Sequence, residues 1–213
     1  MIDNYEKLGP GHWYQKRLTG PLPDYSSNYS KERYDTYNTN LAMSELRYSI
    51  INDYVGDFNS ILDVGYGNGS FLQYCNNENK KTYGYDISDY PPPENTEKTN
   101  KPSDVNVDVI TFFDSLEHIL ERDLVPFLKS LNTKYIVVSI PWFHESLGPE
   151  YFKTWKHRRE NEHIHHFDVV GLVNLLNTSN FQVVHLGNEE DKIRKSVNHL
   201  PNILTVVARK VKK

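Results

Sequence analysis

Three glycines at alternate positions, Gly65, Gly67 and Gly69, separate the apolar run Ile61-Leu62-Asp63-Val64 from a helical pattern opening at Phe71-Leu72. An apolar run bounded by turn residues reads as a buried strand. Glycine suits a loop that turns sharply, takes positive φ and lets its backbone approach a ligand. The N–H groups of such a loop, and of the helix it opens, attract negative charge. Asp63, at the strand end, offers a carboxylate to a cationic group. One acid beside several anion-seeking amides is what a zwitterionic amino-acid tail requires. A second strand pattern runs from Lys81 to Asp86 and ends in an acid 23 residues after Asp63. An acid at that distance can accept hydrogen bonds from both hydroxyls of a ribose.

A further set lies downstream. Val105–Phe113 is β-rich and runs into Asp114-Ser115-Leu116-Glu117-His118, and the apolar run Lys134–Ile140 ends in Pro141-Trp142-Phe143-His144. Ligands of open α/β sheets bind in the crevice outside the carboxyl ends of the strands. Glu117, His118, His144 and His166 form a pool from which a general base or an orienting group could come. The plainer roles are bracing for His118 and a helix cap for Asp114. His157, His163, His165 and His166 fall within ten residues. Two of them are adjacent, no cysteine accompanies them, and the spacing matches no compact zinc site, so no metal is expected.

The run Asp63-Val64-Gly65-Tyr66-Gly67-Asn68-Gly69 resembles the DxGxGxG signature of class I S-adenosylmethionine-dependent methyltransferases. The competing dinucleotide fingerprint GxGxxG would put its third glycine at position 70, which is Ser70. The resemblance implies an α/β fold: a Rossmann-like, seven-stranded, mostly parallel sheet with helices on both faces and a C-terminal antiparallel strand pair. It implies S-adenosyl-L-methionine as cofactor, with Asp63, Gly65, Tyr66, Gly67, Asn68 and Gly69 at its methionine tail. Asp86 would hold the ribose, Ile87 would pack on the adenine, and Asp114 would line the sulfonium side. Within this family the Glu162–Asp168 segment would border the acceptor pocket.

The elements that must position these residues are mostly readable. A helix from near Thr39 to Tyr54 carries Met43, Leu46, Ile50 and Tyr54 on one face and stops at Gly56. Arg47 on it is expected to be solvated. Ser88–Ser103, with Pro91, Pro92 and Pro93, departs from the family pattern: the third strand is not visible. Asp104 and Asn106 are candidates for the acid at the adenine amino group only by proximity. Leu124–Leu131 reads as a helix with Pro126 in its first turn, and Asp168 as an N-cap for Val169–Asn177. Phe181–Leu186 and Ile203–Ala208 read as strands joined without a helix long enough for a crossover, hence antiparallel. A repeated dinucleotide fold would not end that way.

Residues 1–40 form an aromatic N-terminal arm, with Tyr5, Trp13, Tyr14, Tyr25, Tyr29, Tyr34 and Tyr37. It either packs on the domain or serves as a lid, and the two roles are compatible. Residues 41–213 make the methyltransferase-like domain, with an insertion at about 142–166 near the acceptor site. The 213 residues carry 24 Lys and Arg against 28 Asp and Glu, a net charge of −4 that gives no electrostatic reason for nucleic-acid binding. The single cysteine, Cys75, excludes an internal disulfide and is expected to be buried packing in a reducing compartment. No apolar run approaches membrane-spanning length and no signal pattern opens the chain, so a cytoplasmic protein is expected.

The expected partner is a small molecule, with the oligomeric state open. By resemblance, DNA-base amino-methyltransferases carry Asp/Asn-Pro-Pro-aromatic where this chain has Asp114-Ser115-Leu116-Glu117, and cytosine-C5 enzymes need a Pro-Cys nucleophile that is absent. A sugar or metabolite hydroxyl is the preferred acceptor. Two alternatives remain from the residues alone: a catalytically inactive S-adenosylmethionine-binding scaffold, and an NAD-dependent oxidoreductase or epimerase.

Overall fold

The computed structural model describes residues 2–25, 41–195 and 199–211; Tyr29, Tyr34 and Tyr37 lie outside them. A hairpin of β1 (Tyr5–Gly9) and β2 (His12–Gln15) precedes helix α1 (Leu41–Val55). Then come β3 (Ser60–Val64), α2 (Ser70–Asn77), β4 (Lys81–Tyr85), β5 (Thr96–Lys98) and β6 (Asn106–Phe113). The second half holds α3 (Val125–Ser130), β7 (Asn132–Pro141), α4 (Gly148–Thr154), β8 (His165–Phe167) and α5 (Val169–Thr178). It closes with β9 (Phe181–Gly187), α6 (Asp191–Arg194) and β10 (Ile203–Lys210).

Seven strands form the main sheet in the order β5-β4-β3-β6-β7-β10-β9. The β3–β4, β4–β5, β3–β6 and β6–β7 pairs are parallel, and β10 runs antiparallel to both β7 and β9. The terminal reversal follows from the connection: α6 has four residues, too short to carry the chain back across the sheet. The third strand, invisible in the sequence, is the three-residue edge strand β5. Such brevity leaves no alternation to read and blunts the sheet edge.

Side chains alternate across the sheet with period two. Leu62, Val64, Ile110, Phe112, Ile136 and Val138 face one core layer with Leu172 and Leu176 of α5. Ile61, Val109, Val137 and Val207 face the other, with Ile50 and Ile51 of α1 and Leu72 and Cys75 of α2. Helices therefore cover both faces. Cys75 is fully buried, and burial pushes its thiol well up, as expected of packing rather than a nucleophile. Among the described residues, no helix is long and apolar enough to cross a membrane.

Residues 5–15 of the N-terminal arm form a hairpin that their sequence does not reveal. This hairpin joins β8 in a second sheet, β1-β2-β8, which ties residues 5–15 to the end of the 142–166 insertion. Tyr5 and Trp13 pack there against Phe143, Phe152 and Trp155. Asp168 caps α5 as expected, its Oδ1 accepting from Gly171 N at 3.0 Å. The hairpin turn lies so close to α5 that a Cβ on Gly171 would sit 2.0 Å from the Gly11 carbonyl oxygen.

One end of the sheet is closed by four charges. Arg47 is buried, not solvated: its Nε donates to Glu190 Oε1 at 2.8 Å and its Nη2 to Glu190 Oε2 at 3.2 Å. Arg194 Nη1 donates to both carboxylate oxygens of Asp114 at 2.8 Å and to Glu190 Oε2 at 3.2 Å. Arg47 also lies 3.5 Å from Asp114 and stacks over Phe113, 4.1 Å from the ring centre. An aromatic face and two carboxylates compensate its desolvation. Arg47 lies four residues after Met43 and three before Ile50, on the buried face of α1, and its partners lie far away in the chain.

Three stability outcomes follow. Gly171→Ala should cost about 1–3 kcal/mol in urea unfolding, because the obstruction is backbone and cannot rotate away. Gly9→Ala, whose Cβ meets nothing within 4 Å, should stay within about 0.5 kcal/mol. Arg47→Met should cost about 3 kcal/mol, since it strips a partner from the fully buried Glu190; an unchanged midpoint would show the cluster to be neutral for stability.

Candidate active site

The glycine loop opens at the carboxyl end of β3, between β4 and β6. Gly65, Gly67 and Gly69 have φ of 82°, 56° and 77°, a region that favours glycine. Two also need the missing side chain for space. A Cβ on Gly65 would lie 2.6 Å from Ser115 Cβ, and one on Gly69 2.5 Å from Pro93 Cδ. The proline run thus packs onto the loop, which accounts for the unusual segment after β4. Asn68 Oδ1 accepts from Ser70 N at 3.1 Å and from Ser70 Oγ at 2.9 Å, fixing the entry to α2.

Both acids flank this loop. Asp63 pairs in register with Thr111 on β6, whose hydroxyl donates to Asp63 Oδ1 at 2.7 Å. Burial pushes the Asp63 carboxyl up to about 6; the Thr111 bond and the Arg47 charge pull it down, and the Asp86 charge raises it further. Asp86 Oδ2 accepts from Gly67 N at 2.8 Å and Oδ1 from Ser88 N at 2.7 Å, so the second acid holds the loop in shape. Ile87 beside it is 71% exposed, an apolar face waiting at the crevice rim. Tyr66 is turned inward instead: its ring packs on Gly84 and its hydroxyl donates to Tyr90 O at 2.5 Å. Its ring anchors the proline segment rather than facing the crevice. Asp104 and Asn106 lie at the opposite, amino end of β6, away from the crevice.

At the carboxyl end of β6, Asp114 takes φ of 52° and is held by Arg194 and Arg47. The two guanidiniums hold its carboxyl below the usual range against burial. It stands beside the expected cofactor position, but as the neutralised member of an ion cluster and not as an open counter-charge. The next turn, Leu116–His118, brings Glu117 and His118 together, with His118 Nε2 3.9 Å from Glu117 Oε1. His163 joins them, its ring edge-on to His118 at 4.7 Å. The Tyr25 hydroxyl reaches His118 Nδ1 at 3.1 Å, so the arm touches this turn. Burial, with the Asp114 charge nearby, raises the Glu117 carboxyl well above its ordinary value.

The other two histidines of the expected pool are elsewhere. His144 stacks on Trp142 and donates through Nε2 to Pro201 O at 2.7 Å. His166 faces Tyr5, Phe152 and Trp155 in the small-sheet core, where burial lowers its pKa to about 3. A cavity of about 430 Å³ in that region is lined by Lys7, Trp13, Phe143, Glu145, Phe152 and Asp168, none of them in the glycine loop. It belongs to the seam between arm and insertion. Arg194, Glu190, Ser115 and His163 are the site-end residues that sequence reasoning left unassigned. The first two had no motif to mark them, whereas His163 stood in the histidine-rich run.

Comparison with known proteins accords with this geometry. The family model described as "Methyltransferase domain" matches residues 32–186. No curated protein matches the sequence. Burkholderia thailandensis 1,6-didemethyltoxoflavin-N1-methyltransferase, solved with 1,6-didemethyltoxoflavin and S-adenosylhomocysteine, is similar at TM-score 0.62 and 16% identity, over 98% of this chain and 100% of that one. Synechocystis PCC 6803 magnesium protoporphyrin IX methyltransferase, with bound S-adenosylhomocysteine, matches at TM-score 0.59 and 12% identity, over 90% of each chain. The Haloferax volcanii complex of the Trm112 methyltransferase activator with a methyltransferase gives 0.62 and 10%, over 87% of this chain and 95% of that one. At such identities the likeness is one of fold. Sheet order, glycine loop and family match together place the chain in the methyltransferase-domain family, with the fold of the class I S-adenosylmethionine-dependent enzymes.

Proposed function

We propose that the protein transfers the methyl group of S-adenosylmethionine to a small-molecule acceptor by in-line displacement. The observation that carries this is the left-handed glycine loop held between two acids, Asp63 beneath it and Asp86 bonded to it. In this reading the loop amides meet the carboxylate of the methionine tail, and Asp63 faces its ammonium. Asp86 keeps lone pairs for the ribose hydroxyls, and Ile87 covers the adenine. The acceptor enters beside Glu117 and His118, beneath Tyr25 of the N-terminal arm, which then also acts as a lid. The acceptor's lone pair forms the new bond to carbon while the carbon–sulfur bond breaks, leaving neutral S-adenosylhomocysteine and one proton from the acceptor. Since the donor is already activated by its charge, positioning and exclusion of water are the protein's main contributions. The similar structures named for 1,6-didemethyltoxoflavin and magnesium protoporphyrin IX methylation support a small-molecule acceptor.

A second reading, a scaffold that binds the cofactor without turnover, draws on the occupied Asp86 oxygens and on Pro93 packed against Gly69. An NAD enzyme is disfavoured by the single reversed strand β10 and by the family match.

Calorimetry with S-adenosylhomocysteine tests the cradle. Asp86→Ala should weaken binding roughly tenfold or more, through loss of a charge-assisted pair; unchanged affinity would remove Asp86 from the site. A cationic ammonium selects the ionised form of Asp63, whose carboxyl titrates near 6. Affinity should therefore be full at pH 7.5 and fall about tenfold by pH 5 as Asp63 takes up its proton. Asp63→Asn should flatten that profile, and a slope that survives the substitution would dissociate Asp63 from the tail. Binding without turnover on a broad panel of hydroxyl, amine and thiol acceptors would favour the scaffold.

A further inference from the structure

We infer that Glu117, His118 and His163 form a binding site for a divalent transition cation, of the zinc or manganese kind, at the acceptor side of the crevice. One donor atom from each of the three lies within 4.8 Å of the other two. Cation–ligand bonds of about 2.1 Å put donors ~3.4 Å apart, so the three groups would close in by roughly 1.4 Å at most on binding. One carboxylate and two imidazoles suit zinc, manganese or iron better than magnesium or calcium, which prefer all-oxygen shells.

Unpartnered atoms point the same way. Both carboxylate oxygens of Glu117 and Nδ1 of His163 are buried without a hydrogen-bond partner, and the two residues are 2% and 5% exposed. Buried polar atoms are nearly always satisfied in folded proteins. Three orphan atoms on two residues of this cluster describe a place built for something else to complete. His118 is already arranged as a ligand would be. Its Nδ1 is engaged by the Tyr25 hydroxyl while Nε2 faces Glu117. Coordination through Nε2 leaves Nδ1–H to donate to that hydroxyl, the outer bond that fixes a coordinating imidazole. The backbone holds the two halves in place, because Ile164 N donates to Glu117 O at 2.8 Å.

The position gives the cation a use, which rests on the methyl-transfer reading. Ser115, two residues before Glu117, packs directly on Gly65 of the cofactor loop. Three protein ligands leave open positions, as catalytic sites do. An acceptor hydroxyl taken into one of them loses its proton to water more readily. Its oxygen then forms the O–CH₃ bond as the S–CH₃ bond breaks. The acceptor class becomes hydroxylated compounds, with a neighbouring oxygen able to chelate.

Equilibrium dialysis of the chelator-stripped full chain against Zn²⁺, with metal quantified, tests the site. About one equivalent should bind, and Co²⁺ in its place should give a visible absorption band of low-symmetry nitrogen–oxygen coordination. Glu117→Gln, which keeps the shape, and His163→Ala should each weaken binding roughly tenfold or more, with circular dichroism reporting that they remain folded. No stoichiometric binding by the natural protein, or binding untouched in both variants, overturns the inference. S-adenosylhomocysteine calorimetry on the same stripped protein separates the two readings. Zinc bound without nucleoside binding would sink methyl transfer and leave the metal site; nucleoside bound without zinc would do the reverse.

Discussion

The crevice depends on backbone meeting neighbouring loops with no side chain between them. Gly65 lies against Ser115, so the loops after β3 and β6 share one edge, and Gly69 lies against Pro93, so the segment after β4 folds over the same loop. A single Cβ at either place would force these loops apart, and all three glycines hold φ values that other residues adopt only with strain. Around that contact the polar groups fall into place by the period of the strands. Asp63 and Thr111 face the same side because they pair in register on neighbouring parallel strands. Asp86 reaches Gly67 because it ends the strand next door.

What the sequence made legible is what local pattern encodes. β3, β6 and β7 are rich in Ile, Val, Leu and Phe, as strands buried on both faces must be. Asp168 and Pro126 sit at helix starts, where capping chemistry and a missing N–H put them. What stayed hidden depends on contacts distant in sequence. Arg47 looks like a solvated residue until Glu190, 143 positions later, turns out to be buried beside it. Arg194 is 80 residues from Asp114, and no spacing rule connects them. The arm reads as irregular because its two strands are short and gain a sheet only through β8.

The histidines show how residue type alone misleads. His144, His166 and His118 were equal candidates by chemistry, yet their surroundings differ sharply. His166 is enclosed by aromatic rings, where a charged imidazole would be costly to bury, so it contributes as an apolar ring. His118 lies on a turn at the sheet's carboxyl end, within reach of an acid and of the arm. His144, although it too follows the carboxyl end of a parallel strand, is tied down by Trp142 and the Pro201 carbonyl.

The four-charge cluster bears on the chemistry as well as the stability. A sulfonium donor loses its positive charge on the way to the transition state, so a strong opposing carboxylate would stabilise the starting state more than the transition state. In the proposed methyl-transfer reading Asp114 would stand where such a carboxylate does most harm, and Arg194 and Arg47 offset its charge. With Glu190 the cluster has two positive and two negative members and no net charge. Asp63 is the complementary case. Burial keeps its carboxyl poised near 6, close enough to neutrality that an arriving cation can shift it to the ionised form. In that reading attraction is concentrated at the cofactor's tail, whose charge does not change during the reaction, and withheld from the sulfur, whose charge does.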